Sequence, residues 1–307
     1  MFSAKSNQAI ILGLVSSVIL WGANNTGLKY MVGFWPPIGV GCSRFLCAGF
    51  LILALMRWTN WLGSPTPLTS LEKNQLWFRT SLVLAFYIIA FNCAVRLTAV
   101  SHVALYLGAS PIWALILDRH WDKSWATVQR LGAAIMAFTG VLILFWPALK
   151  DSHANFIGEL AAFGGSFLWS FYGRQCRLIG SRMQGLELTG HTMWRSGVWL
   201  IPLALWETGL KAWEWRPVLA WIQLYCIVGG GVVAFALWNN ALKHWPTSKV
   251  YLFNNLIPIS TTTWAHFCLG EPITSTFLFS MILVVGAVIL AQTDFKKMRE
   301  LFSWPPE

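Results

Sequence analysis

The sequence predicts an all-α integral membrane protein whose ten transmembrane helices form two inverted five-helix repeats. Three observations carry this. Hydrophobic residues make up 56% of the 307 and charged ones only 11%, more apolar surface than one soluble core of this size hides. Ten apolar runs have the roughly 17–25 residues that cross a bilayer as helix, where every backbone amide must bond inside its own segment. One stretch also occurs twice: NCAVRLTAVSHVALYLGASPI at Asn92–Ile112 and NNALKHWPTSKVYLFNNLIPI at Asn239–Ile259 share seven identical positions at a fixed offset of 147.

In chain order the runs fall at 9–29, 36–57, 76–96, 99–117 and 125–146, then at 157–178, 190–208, 218–242, 247–268 and 273–292. Turn chemistry separates them: Trp35-Pro36-Pro37, Gly63-Ser64-Pro65-Thr66-Pro67, Pro147 ahead of Lys150-Asp151, and Gly270-Glu271-Pro272. Ser101 and Thr247-Ser248 suit the caps of helices four and nine, and Pro272 suits the first turn of helix ten. Residues 9–146 therefore make one repeat and 157–292 the other, followed by a basic tail at 293–307.

Basic residues set the expected orientation. With the N-terminus cytoplasmic, fifteen Lys and Arg fall on inner segments and five on outer ones (Lys29, Arg96, Lys150, Lys211, Arg216), with Arg44 and Arg195 inside helices. That bias follows the positive-inside rule and places both ends in the cytoplasm of a cell carrying this protein in its inner (plasma) membrane. It also accounts for the net charge of +10 without nucleic acid as a partner. Five helices per copy is an odd number, so the second copy enters the bilayer from the opposite side. Matching landmarks agree: Leu20-Trp21 with Leu168-Trp169, Arg44 with Arg195, and Gly140-Val-Leu-Ile-Leu with Gly286-Ala-Val-Ile-Leu. Inverted repeats suit a secondary transporter, because exchanging the conformations of the halves turns an inward-open shape outward.

The helix-nine start PTSKVYLFNNLIPI and the run LGEPITSTFLFSMILVVGAVIL at Leu269–Leu290 resemble the drug/metabolite transporter superfamily, EamA-like branch. The resemblance spans about residues 8–293. In the first half DRHWDKSWATVQRLG stands where a Leu-Gly-Glu-x-Pro-like junction is expected. It implies a central cavity lined mainly by helices one, three, four, six, eight and nine, and movement of small metabolites, often outward.

Polar groups at membrane depth need a partner or a task. Asn24, Asn25, Asn92, Asn239, Asn254 and Asn255 are candidates to bind a polar solute, or else to hold helices together. Trp21, Trp169, Tyr87, Tyr106, Tyr172 and Trp238 lie deep enough to stack on it, or else to pack. Arg44 and Arg195 are possible contacts for a carboxylate or phosphate, or else snorkel to the nearer interface. Pro111 and Pro258 free the carbonyls of Leu107 and Asn254 and are candidate hinges. Acids are expected near helix ends, which gives proton coupling through a buried carboxylate little support. The six cysteines lack CxxC spacing and read as small core residues, so neither metal nor cofactor is expected. No HExxH, GxSxG or phosphate loop argues for an enzyme. The expected function is alternating-access transport of a small organic solute, with export of an amino acid or related metabolite ahead of uptake of a quaternary amine or nucleoside-like solute in an aromatic cage.

Overall fold

A computed structural model describes residues 4–59, 65–110, 113, 125–147, 153–179, 183–210, 213–244, 250 and 252–292. Among these residues there is no strand, and ten helical segments follow one another. They are α1 (Ala4–Phe34), α2 (Pro37–Trp58), α3 (Ser70–Leu97), α4 (Val100–Gly108) and α5 (Trp125–Phe145). The second set is α6 (His153–Ile179), α7 (Gly185–Leu210), α8 (Pro217–Tyr225, continued through Cys226–Val233 and Ala234–His244), α9 (Leu252–Leu256 as a 3₁₀ turn, then Ile257–Leu269) and α10 (Ser275–Gln292). Most of the run predicted beyond Gly108, Pro111 with it, and the tail at 293–307 lie outside the described residues.

Caps explain where the helix ends depart from the hydropathy runs. α3 starts six residues before the predicted 76 because Thr69 and Glu72 form a capping box, each side chain bonding the other's backbone N–H. α4 is capped by Glu271 from the far half, which accepts from the Val100 and Ser101 amides at 2.8 and 3.2 Å, while the Ser101 hydroxyl donates to the same carboxylate. Glu207 does the same for α2, accepting from the Ile38 and Gly39 amides at 2.8 and 3.1 Å. A carboxylate satisfies orphan amides better than a hydroxyl and complements the helix dipole. For α10 the cap is the Thr274 hydroxyl, which accepts from the Phe277 amide at 3.1 Å, so Pro272 stays outside the helix.

Packing between helices obeys the symmetry that the duplication implies. α1 packs on α8 and α9, and α6 packs on α3 and α4; α2 pairs with α7, α4 with α9 and α5 with α10. Exchanging each helix for its counterpart five places on returns the same set of neighbours. The α2–α7 seam is close-packed: a Cβ at Gly49 would run into the Trp194 backbone nitrogen and the Gly190 carbonyl, and the Cys42 thiol reaches the Gly197 carbonyl at 3.3 Å. Small residues let membrane helices approach to backbone contact, where dispersion rather than the hydrophobic effect holds them.

A π-helical turn interrupts α3 at Leu76–Ser81 and its counterpart α8 at Cys226–Val233. Such turns widen a helix locally and re-aim the side chains that follow. Outward-facing side chains are apolar over much of the bundle (Phe50, Phe86, Ile135, Leu205, Trp221, Phe267), as a lipid solvent requires. Among the described residues, four stretches are long and apolar enough by themselves to cross a membrane: Asn7–Phe34, Pro37–Trp58, Ser70–Leu97 and Pro217–Ala241.

Candidate functional site

α1, α2, α3, α8 and α9 converge on a layer of buried polar side chains. The Arg44 guanidinium donates to Asn24 Oδ1 at 3.4 Å and lies over the Phe45 ring, 4.6 Å from its centroid. Asn24 also accompanies Asn25, whose amide donates to the Thr261 hydroxyl of α9 at 3.2 Å. Gln223 of α8 donates to the Val40 carbonyl and the Ser43 hydroxyl at 3.2 and 2.9 Å, and its own carbonyl oxygen has no partner. Tyr87 stands beside Arg44 from α3. At 1.5 Å per residue, Asn24 and Tyr87 lie about 15 Å, Thr261 about 12 Å and Arg44 and Gln223 about 10 Å from the same end of the bundle. That depth approaches the middle of a hydrocarbon core about 30 Å thick, where carriers built from inverted repeats bind their solutes.

Arg44 is the unusual member. It is 8% exposed, and no carboxylate among the described residues pairs with it. A buried cation without a counter-ion is costly, and one long bond to an amide offsets little of that cost. The layer is therefore incomplete electrostatically and favours an anion.

Aromatic rings flank the layer in two groups. Trp21, one turn from Asn24 and Asn25, donates its indole N–H to the Gly230 carbonyl at 3.1 Å, inside the π-turn of α8, and meets Phe235 and Trp238 at 5.1 and 5.2 Å. On the other side Trp169 lies between Tyr87 at 5.0 Å and Tyr172 at 5.5 Å. The sequence pairing of Trp21 with Trp169 is thus matched in space: each ring of the pair anchors one aromatic group. A small cleft between α4, α5 and α6, lined by Ala109, Trp113, Phe138, Phe163 and Ser166, is mostly apolar, and no residue of the polar layer lines it.

The duplicated helices and their symmetric neighbours match a known sequence profile. The profile of the EamA-like transporter family matches residues 8–146 and again 156–293. The chain belongs to this family. Among relatives, an uncharacterized transporter, YyaM, of Bacillus subtilis is 26% identical over 92% of this chain and 93% of its own length. A probable amino-acid metabolite efflux pump of Salmonella typhimurium is 20% identical over 92% and 94%. A solved crystal structure superposes with a TM-score of 0.60 at 18% identity, covering 92% of this chain and 97% of that one, which supports the shared fold.

The EamA-like fold brings together Trp21, Asn24, Asn25, Arg44, Tyr87, Trp169, Tyr172 and Trp238, and sends other expected site residues elsewhere. Asn92 is fully buried and donates to the Pro37 carbonyl at 2.7 Å, packed on Gly41; Asn239 donates to the Phe235 carbonyl at 2.8 Å, packed on Gly185. Asn92 therefore ties α3 to α2, whereas Asn239 bonds within α8 and only packs against α7. Arg195 lies ten residues into α7, deeper than the run starting at 190 implies, and one guanidinium nitrogen meets the His191 ring and carbonyl at 3.0 Å each, while Nε is buried with no partner. Trp194 and Trp77 cover its guanidinium at 4.3 and 5.5 Å. Asn254 is half-buried on the 3₁₀ turn of α9, and the Asn255 side chain lies outside the described residues. Pro258 sits in the first turn of the α-helical part of α9, where a missing N–H costs little, and packs on Gly108 of α4. Tyr106 is fully buried beside Glu159.

Three residues of interest were not signalled by the sequence. Thr261 and Gln223 complete the layer, and single Thr and Gln residues in apolar runs are too common to stand out. Glu159 reads as an end-of-helix acid, yet it lies six residues into α6 and is only 2% exposed, because the α3–α4 corner folds over it.

Proposed function

We propose that this transporter exports a small organic solute bearing a carboxylate, an amino acid or a related metabolite, by rocking one repeat against the other across the α2–α7 seam. Arg44 carries the reading: a guanidinium near mid-membrane with no acid partner is matched by an anionic group on the solute. Asn24, Asn25, Thr261 and Gln223 offer replaceable hydrogen bonds around it, and the Trp21 and Trp169 groups offer apolar faces for the rest of the solute. The two repeats are residues 9–146 and 157–292, both chain ends are cytoplasmic, and the α3–α4 corner faces outward, as the distribution of Lys and Arg favours. The relatives named as amino-acid metabolite efflux pumps point the same way at low identity.

A competing reading seats a quaternary amine among the aromatic groups. The Arg44 charge beside Tyr87 opposes a cation there. Thermal-shift measurements on the purified full-length protein separate the two, since a ligand of the folded form raises its melting temperature. Amino acids are expected to raise it and their decarboxylated amines to leave it unchanged, with the gain abolished in Arg44→Gln. Equal shifts with the amines, or an undiminished shift in the variant, would overturn the anionic-solute reading.

A further inference from the structure

We propose that Glu159 and His102 form a proton-binding site that controls the closure of α3 and α4 against α6. Glu159 Oε1 accepts from the Thr98 hydroxyl at 2.5 Å and faces His102 Nδ1 at 2.6 Å. Its other oxygen is buried and faces only the neighbouring Tyr106 hydroxyl, which is itself buried with no other partner. The other acids at this depth of burial or at helix ends are held differently. Glu187 takes the Thr66 amide and hydroxyl at 2.6 Å each, while Glu207 and Glu271 take backbone amides of α2 and α4. Backbone N–H donors hold their protons in place. Glu159 meets instead an imidazole and a hydroxyl, groups whose protons can relocate.

A ring nitrogen 2.6 Å from a carboxylate oxygen requires one proton on the line between them. With a neutral ring donating that proton, the pair carries one buried negative charge. The charged and titratable groups around it do not cancel that charge. Lys29 of α1 donates to the Val95 and Thr98 carbonyls at 2.8 and 2.6 Å, and Arg96 at the end of α3 donates to the Val32 and Gly33 carbonyls of α1. Glu271, with the His266 ring on its carbonyl, belongs to the α9–α10 corner and caps α4. α10 contributes only the Phe277 ring, parallel to the imidazole at 6.0 Å. Among the described residues Glu159 has no Lys or Arg partner.

A second proton completes the site. Hydronium outside the partly exposed His102 delivers it to Nε2, leaving water, and the Nδ1 proton crosses to Oε1, so that ring and carboxyl are both neutral. One proton is gained and the pair becomes neutral. Neutralisation weakens the charge-assisted bond from Thr98, the residue at the α3–α4 corner whose carbonyl also holds Lys29. Proton uptake thus loosens the corner from α6 and from α1 together, which couples an outward opening to protons from outside.

The proposal rests on the transporter fold and not on the anionic solute, so its test uses no solute. Purified, unbuffered full-length protein is titrated between about pH 7.5 and about pH 5.5, and Glu159→Gln and His102→Gln are each expected to take up about one proton fewer per chain than the parent. In liposomes, a Val100→Cys reporter at the corner is labelled with a membrane-impermeant maleimide, with labelling of the chain lacking the reporter subtracted. The rate relative to the same reporter in Glu159→Gln cancels the reagent's own pH dependence. This ratio is expected near unity at about pH 5.5 and about fivefold lower at about pH 7.5. Unchanged proton uptake in both variants, or a ratio constant with pH, would overturn the site. Should Glu159→Gln fail to insert, the same two measurements on His102→Gln decide the matter.

Discussion

Arg44 and Arg195 occupy matching positions in the two halves, yet they meet the same electrostatic problem differently. Arg195 finds His191 one turn away and two indole faces, although its Nε is left without a partner. Arg44 finds one amide oxygen at 3.4 Å. The asparagines divide in a similar way. Asn92 spends its amide on the Pro37 carbonyl, whereas Asn25 bonds another side chain, Thr261, that a solute can displace. Asn92→Ala is therefore expected to lower stability by about 1 kcal/mol, in the range of interhelical bonds in membranes, without altering a solute-induced melting shift. Asn25→Ala is expected to do the reverse, and melting curves with and without amino acids compare the two. That Asn92 and Asn239 are both buried polar groups could be read from the runs they interrupt. Which asparagine binds and which holds helices together could not, because the answer depends on a carbonyl more than fifty residues away.

At the scale of helices, end positions are set by partners rather than by composition. α3 is extended by a capping box written locally, as Thr69 followed three residues later by Glu72. α2 and α4 instead begin under carboxylates delivered from the other half, Glu207 and Glu271. The α2–α7 seam has a close backbone approach, and its tolerance is correspondingly small. Gly49→Val places two methyl groups where Trp194 and Gly190 already stand. Overpacking of this kind is expected to cost about 2 kcal/mol and to lower the melting temperature, whereas the same change at Gly33, which has open space, leaves it near the parent value. Thermal denaturation in detergent checks both. The paired π-turns in α3 and α8 had no sequence signal beyond the Gly229-Gly230-Gly231 run, and that run marks only the second of them.

For the whole molecule, the decisive property is that the pattern of neighbours survives exchange of the halves. With five helices in each, the equivalent loops between α2 and α3 and between α7 and α8 must lie on opposite faces of the bilayer. Single reactive cysteines at Pro65 and Glu214 are expected to label from opposite sides in sealed vesicles with an impermeant reagent; labelling from one side would refute the inversion. The sequence by itself determined the class, the duplication, the approximate position of each helix and the family, because hydropathy, proline placement and an offset of 147 are properties of the linear chain. It also put Trp21, Asn24, Asn25 and Arg44 on the short list, because polar and bulky residues are conspicuous in apolar runs. Only the tertiary structure decided that among the described residues neither Arg44 nor Arg195 pairs with an acid, that Arg195 is held by His191 and two indole faces instead, and that Glu159 is buried against His102. Burial and charge pairing are sums over every helix that surrounds a side chain, and those helices are contributed by distant parts of both repeats.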